Sequence, residues 1–224
     1  MDKILFRCSR LSELMTSPRN KNELVSATTK DLCLDTFLQN EYGYYEDVMT
    51  PPMMKGLTLE SKAMGFLSEL DGKYRKPYKV KTSNDWIIGT PDIVLDDCVE
   101  DIKCSANLKT FLKAEMNENY MWQGIGYMWL MGRTTFKLRY VLLPDDEDMI
   151  TEAKKKVWYK FGCDEENPDY QRMSKQIDHN NNIINSIPKE KRVKTFVKEY
   201  NPIRIEFLKE HIEKAREYYQ TIKL

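Results

Sequence analysis

The segment from Trp86 to Lys103 constrains this chain more than any other: Trp-Ile-Ile-Gly-Thr-Pro-Asp-Ile-Val-Leu-Asp-Asp-Cys-Val-Glu-Asp-Ile-Lys. Apolar runs rich in β-branched residues read as buried strands, yet these carry carboxylates and an amine, and buried charges need partners. Asp96-Asp97, polar between two apolar runs, reads as a two-residue hairpin turn. That register sets Asp92 opposite Asp101 with Cβ atoms about 5 Å apart, where like charges repel. Because strand side chains alternate, Lys103 shares a face with Asp101. Two carboxylates and an amine thus converge. A cation between the acids would remove the repulsion, and the oxygen donors suit Mg²⁺ or Mn²⁺ rather than zinc. The bland alternative, the wet face of a hairpin, sits poorly with Ile87, Ile88, Ile93, Val94 and Ile102.

Periodicity supplies the elements around this segment. Ser9–Met15 reads as a short capped helix. Ser26–Gln39 reads as a second, followed by a loop over Tyr42–Pro52 with a Pro-Pro stop, and Gly56–Leu70 as a third. Strands are expected within Tyr78–Cys104, a helix over Tyr120–Met131 and a strand over Phe136–Leu143. Then follow helices Glu147–Phe161 and Tyr170–Ile187, the latter interrupted at Asn180–Asn182, strand Val193–Tyr200 and helix Ile203–Ile222. On the third helix Glu60 falls inside the apolar arc of Leu59, Ala63, Leu67 and Met64, an expensive place for a carboxylate unless a metal or cation receives it. Its alternative is a marginal position that snorkels to solvent. On the Tyr120–Met131 helix Gln123 and Tyr127 are i and i+4 and share a face. Gly124 and Gly126 each cost that helix about 1 kcal/mol relative to Ala, which a close approach would offset.

Composition excludes several classes. The longest apolar run, Tyr127–Met131, is far short of the ~18–20 residues of a membrane span. Met1–Arg7 holds too few apolar residues for a signal-peptide core, so a cytoplasmic location is expected. The five cysteines form no C-x-x-C pair and read as reduced, mostly buried thiols. With only two histidines, His179 and His211, histidine-driven hydrolysis loses most of its support. Lys and Arg total 35 and Asp and Glu 35, so no overall basic coat marks a nucleic-acid binder. Locally, Lys73, Arg75, Lys76, Lys79 and Lys81 lie in one acid-free stretch. Lys189, Lys191, Arg192, Lys194 and Lys198 nearly repeat it. Each is a solvated face or a strip that tracks phosphates.

Taken together these motifs resemble a known family. Pro91-Asp92 followed by Asp101-Ile102-Lys103 resembles the PD-(D/E)XK nuclease signature. Glu60, Gly89-Thr90-Pro91-Asp92, Asp101-Ile102-Lys103-Cys104 and Gln123-x-x-x-Tyr127, in that order, resemble the lambda-exonuclease-like (YqaJ-type viral recombinase) branch, related to RecB-type nuclease domains. Cys8–Met15 with Pro18-Arg19 is similar to that family's N-terminal helix. The match covers residues 7 to about 143. It implies an α/β fold with a restriction-endonuclease-like core, a central mixed β-sheet flanked by helices and a helical C-terminal portion. The expected layout is one nuclease domain over 1–224: N-terminal helices to 55, a catalytic core over 56–143, and helices plus one strand thereafter.

The resemblance also implies roles. Glu60, Asp92, Asp101 and the Ile102 carbonyl would hold Mg²⁺, with Mn²⁺ substituting. Lys103 would orient the attacking water and, if deprotonated, take its proton. Gln123 and Tyr127 would position the substrate strand. Ser9 and Thr90 would hold a 5′-phosphate, with Arg10, Lys73, Arg75 and Lys76 near the DNA. The family's arginine several residues before the phosphate-binding serine has no counterpart here at that spacing. No iron–sulfur cluster is expected, since only Cys163 follows the motifs. The implied activity is 5′-to-3′ digestion of linear double-stranded DNA in phage-type recombination or end processing, leaving 3′ single strands. The implied partners are a single-strand annealing recombinase and further copies in a ring-shaped trimer, in a bacterial host cytoplasm if the chain is phage-encoded. Alternatives are a same-fold nuclease of other polarity or endonucleolytic habit, and a catalytically inactive DNA-end-binding module.

Overall fold

A computed structural model of the chain describes residues 3–46 and 51–223, with side chains of the helix opening at Pro51 described from Leu59 onward. In chain order the elements are β1 (Phe6–Arg7), a 3-10 turn (Cys8–Arg10), α1 (Leu11–Leu14), α2 (Ala27–Tyr42), α3 (Pro51–Asp71), β2 (Thr82–Ser83), β3 (Ile87–Gly89), β4 (Ile93–Val94) and β5 (Cys98–Cys104). Then come α4 (Leu108–Leu112), α5 (Glu118–Met131), β6 (Thr135–Val141), α6 (Glu147–Lys160), α7 (Pro168–Ser186), a 3-10 turn (Lys189–Arg192), β7 (Val193–Glu199) and α8 (Pro202–Tyr219). Polar side chains that accept from free backbone amides open most helices: Ser26 for α2, Asn107 for α4, Asn117 for α5, Asp146 for α6, Asn167 for α7 and Asn201 for α8.

The expected mixed sheet is present in two pieces. The smaller has the order β1-β3-β2, with β1 parallel and β2 antiparallel to β3. The larger is β4-β5-β6-β7, in which β5 and β6 are parallel and the outer pairs antiparallel. β3 and β4 are nearly continuous in sequence. Pro91 separates them, because it has no N–H with which to continue a ladder, and the chain there passes from one sheet to the other. The parallel β5–β6 pair needs a crossover, which α4 and α5 supply.

Helices cover both faces of the larger sheet. Val99 of β5 packs with Trp122, Ile125 and Phe136 on the α5 side, while Ile102 packs with Leu59, Ala63, Leu67 and Ile93 on the α3 side. α8 returns to the N-terminal half, burying Ile205, Leu208, Ile212 and Ala215 with Phe6, Leu11, Leu32 and Cys33. Cys8, Cys33 and Cys98 are interior, as reduced thiols should be. No helix among the described residues is long and apolar enough to cross a membrane.

Two expectations need correction. The Pro51-Pro52 pair opens α3 instead of stopping a loop, since proline is pre-shaped for a first helical turn where its missing N–H has no partner to lose; residues 47–50 of the expected loop lie outside the described residues. Asn180–Asn182 does not interrupt α7, because Asn181 accepts from the Asp145 amide (2.7 Å) and donates to its carbonyl (3.1 Å). The short elements β1 and α4 were not foreseen.

The glycines of α5 do mark close approach. A Cβ on Gly124 would lie 2.1 Å from the ring of fully buried Phe136, and one on Gly126 would lie 2.7 Å from Leu11. Gly124→Ala should therefore destabilise the fold by about 1–2 kcal/mol despite better helix propensity, lowering the melting temperature by roughly 2–8 °C. Gly65→Ala, on exposed α3 surface with nothing within 4 Å, should have the opposite sign. Thermal denaturation of both variants tests the contrast, and equal shifts would refute it.

Candidate active site

The hairpin takes the register read from its turn. Ile93 pairs with Glu100 and Val94 with Val99, and the Leu95 amide donates to the Cys98 carbonyl across Asp96-Asp97. One step further, Asp92 faces Asp101. Asp92 Oδ2 accepts from the Ile102 amide at 2.7 Å. Asp101 is 1% exposed, and its Oδ1 accepts from Gln123 Nε2 at 3.2 Å. The same Gln123 nitrogen donates to Tyr127 Oη at 3.0 Å. Gln123 and Tyr127, one helical turn apart on α5, thus hold the carboxylate from the sheet's α5 side.

Lys103 Nζ lies 2.7 Å from Asp101 Oδ2 and 5.3 Å from the centre of the Tyr120 ring. Among the described residues that oxygen has the ammonium as its one partner, so the contact is a charge pair and the carboxylate keeps free lone pairs. Burial pushes the Lys103 ammonium down, but the Asp101 and Asp92 charges more than reverse this and its pKa is raised. Lys103 is therefore held as an ammonium beside the two carboxylates. Tyr120 was not singled out from the sequence. It sits three positions before Gln123 on the same helical face, which was the available signal.

Asp92 is raised from the ordinary carboxylate range, first by burial and then by the Asp101 charge, with Glu60 adding to the rise and the Ile102 amide and Lys103 opposing it. Glu60 is half-buried beside Leu59 on the helix that packs against Ile93 and Ile102, as the apolar arc implied. It acts on Asp92 through its field. Among the described residues no three His, Cys, Asp or Glu side chains form a ready-made metal cluster. The charge balance is nonetheless one-sided: Asp92, Asp101 and Glu60 face a single ammonium. The excess of acidic groups over cations and the free oxygen lone pairs of Asp92 and Asp101 fit a hard divalent cation.

The opposite face of β5 is different. Glu100, 0% exposed, accepts from Arg75 Nε (2.7 Å) and Arg139 Nε (3.0 Å), and Asp71 holds the Arg75 fork at 2.6 and 2.8 Å. Arg75, expected near DNA, is thus interior and committed to a balanced ion network. Arg10 is likewise bound, by Glu13 at 2.7 Å and Asp35 at 2.8 Å. Arg192 is buried over the Phe66 ring at 5.1 Å and not part of a surface strip. Lys73 and Lys76 are exposed, Lys73 lying 3.8 Å from Asp97 on the hairpin turn.

Ser9 and Thr90 do come together. They line a cleft of about 230 Å³ with Tyr127, Arg7, Lys81 and Ile88. The smaller sheet explains why. Arg7 pairs with Ile88 and Ser83 with Ile88, so the next positions set Lys81 across from Thr90. Alternation turns Phe6, Cys8 and Ile87 to the core and Arg7, Ser9 and Thr90 outward.

The fold is similar to those of two solved exonucleases. The chain matches the crystal structure of a phage-related exonuclease from Haemophilus somnus 129PT with TM-score 0.74 and 21% identity, over 97% of this chain and 94% of that one. It matches the alkaline exonuclease LHK-Exo of Laribacter hongkongensis with TM-score 0.65 and 13% identity, over 98% and 89%. The complex of LHK-Exo with dAMP matches with TM-score 0.64. At these identities the likeness is one of fold. No protein-family model matches the sequence, and neither does any curated protein.

Because Asp92 is raised in the fold, the metal-free folded protein keeps a proton that the unfolded chain loses. The stability tied to this group is present in acid and is lost as pH rises from the ordinary carboxylate range to about 7. In a chelating buffer the melting temperature should fall more between pH 5 and pH 8 for the wild type than for Asp92→Asn, and Mg²⁺ at pH 8 should restore the wild type selectively. Parallel curves for the two proteins would exclude this account.

Proposed function

We propose that the chain is a metal-dependent 5′-to-3′ exonuclease that digests linear double-stranded DNA from its ends and leaves 3′ single strands. The observation that carries the reading is the hairpin itself: Asp92 opposite Asp101, with Lys103 and Gln123 fixed on the same carboxylate. The likeness to two exonuclease folds supports it. The substrate is a phosphodiester, attacked by water while charge builds on the phosphoryl oxygens and the leaving 3′-oxygen.

Asp92, Asp101, the Ile102 carbonyl and Glu60 would hold Mg²⁺, or Mn²⁺ in its place. Such an ion supplies Lewis acidity and acidifies water. The residues do the rest. Gln123 fixes the Asp101 rotamer, and Asp92 is fixed by the Ile102 amide, so the donor oxygens need not reorganise during the reaction. Lys103, held as an ammonium, donates to the water or to a phosphoryl oxygen and stabilises the developing charge. The Ser9 and Thr90 hydroxyls, facing one cleft beside Tyr127, take the 5′-phosphate.

The test uses a 5′-phosphorylated linear duplex, a 5′-hydroxyl duplex and a closed circle, each with Mg²⁺ and with chelator. Digestion of the phosphorylated duplex with Mg²⁺ alone is expected. Asp101→Asn and Lys103→Ala should each lower kcat by at least about 10²-fold, while circular dichroism shows a folded chain. Wild-type rates from folded Lys103→Ala would sink the assignment. Cutting of the circle would exclude a pure exonuclease, and indifference to the 5′ group would remove the role of Ser9.

A further inference from the structure

The cleft beside Ser9 and Thr90 does not end there. Arg7, Lys81 and Ile88 also line a second groove of about 750 Å³, so the outer face of the smaller sheet forms a throat between the two. Beyond it the groove runs between α2 and the end of α8, past Thr36, Phe37, Asn40, Tyr45 and Tyr219. Its size suits an organic ligand of several rings, since such pockets are about 300–1,000 Å³.

Charge at the throat sets it apart from the rest of the lining. Lys3 is paired with Asp85 at 2.8 Å and Arg10 with Glu13 and Asp35. Arg7 has only the neutral Gln39 side chain, at 3.1 Å, and Lys81 has no ion pair among the described residues. Two uncompensated cations thus flank the passage, with one acid, Glu41, in the lining. Aromatic rings follow on the far side: Tyr45 is 59% exposed, and Phe37 is partly exposed, packed edge to face on the buried Tyr219 ring at 5.6 Å. Cations followed by exposed rings recognise single-stranded nucleic acid, where phosphates meet the cations and unpaired bases stack without sequence preference. A duplex offers no free base faces to such rings.

We infer that this groove receives an unpaired 5′ extension of the DNA substrate, its phosphates on Arg7 and Lys81 and its bases along Tyr45 and the exposed edge of Phe37. The inference rests on the nuclease reading for its orientation, because the groove continues from the cleft proposed for the 5′-phosphate, away from the scissile bond. The 5′ side of the site is then open. Hydrolysis breaks a P–O3′ bond behind the extension: water gives its hydroxyl to phosphorus and a proton goes to O3′, so the extension leaves intact as an oligonucleotide.

Two duplexes test this, one blunt and one with a five-nucleotide 5′ extension, both 5′-phosphorylated, beside a 3′-labelled single-stranded hexanucleotide whose binding is followed by anisotropy in chelator. With Mg²⁺ the first product from the extended duplex should be an oligonucleotide, released at a rate within threefold of blunt-end digestion. Lys81→Glu should weaken hexanucleotide binding at least fivefold and lower the ratio of extended to blunt cleavage. Tyr45→Ala should weaken hexanucleotide binding at least twofold. Unchanged affinity in Lys81→Glu, or trimming of the extension one nucleotide at a time from its end, would overturn the inference. Failure of the wild type to cut the blunt duplex would instead overturn the nuclease reading, while the hexanucleotide still reports on the groove.

Discussion

Everything at the candidate site depends on β5 burying two consecutive carboxylates, Glu100 and Asp101, on opposite faces of one sheet. Burying a charge is costly, and the two faces meet that cost differently. Toward α3, Glu100 and Asp71 face Arg75 and Arg139, two negative against two positive, with directed bonds throughout. Toward α5, Asp101 and Asp92 have Lys103 alone, and Glu60 adds its negative field on Asp92 from α3. The balanced face is a rivet joining the end of α3 to β5 and β6. On the unbalanced face Asp92 is raised first by burial and then by the Asp101 charge, and a divalent cation would favour its ionised form.

That division makes register the decisive variable. A slip of one residue would exchange the faces, presenting Glu100 to Gln123 and Asp101 to Arg75. Several contacts oppose a slip. The Asp96-Asp97 turn closes the hairpin, Ile102 donates its amide to Asp92, and Gly124 lets α5 sit directly on Phe136. With α5 further from the sheet, Gln123 would keep Tyr127 on its own helix but could not reach Asp101.

What was legible in the sequence follows from the range of the interactions involved. The hairpin register, the shared face of Asp101 and Lys103 and the Gln123–Tyr127 pair all follow from local periodicity and one short turn, and the structure carries them. Glu60 was readable because a helical wheel exposes a carboxylate in an apolar arc. Arg75 was not: of its carboxylate partners Asp71 and Glu100 the latter lies far along the chain, and nothing near Arg75 distinguishes it from the lysines around it. The charge state of Lys103 was also out of reach, because it depends on whether burial or the neighbouring carboxylates win. β1 escaped because a two-residue strand has no periodicity to detect.

The same accounting explains how a chain of zero net charge can be suited to a polyanion. Net charge counts every cation equally, but Arg75, Arg139 and Arg10 are taken up by carboxylates and Arg192 is buried against Phe66. A phosphate feels only what is left unpaired near its path, and at the throat that is Arg7 and Lys81. Two such contacts on a single strand release few counterions, with a slope in log affinity against log salt of about −1.4. Contact of that strength cannot hold DNA indiscriminately. If the proposed function holds, engagement has to draw on what an end and a metal would provide, a 5′ phosphate near Ser9 and Thr90 and neutralisation of Asp92 and Asp101, and the neutrality of the chain would then work as selectivity against duplex interior.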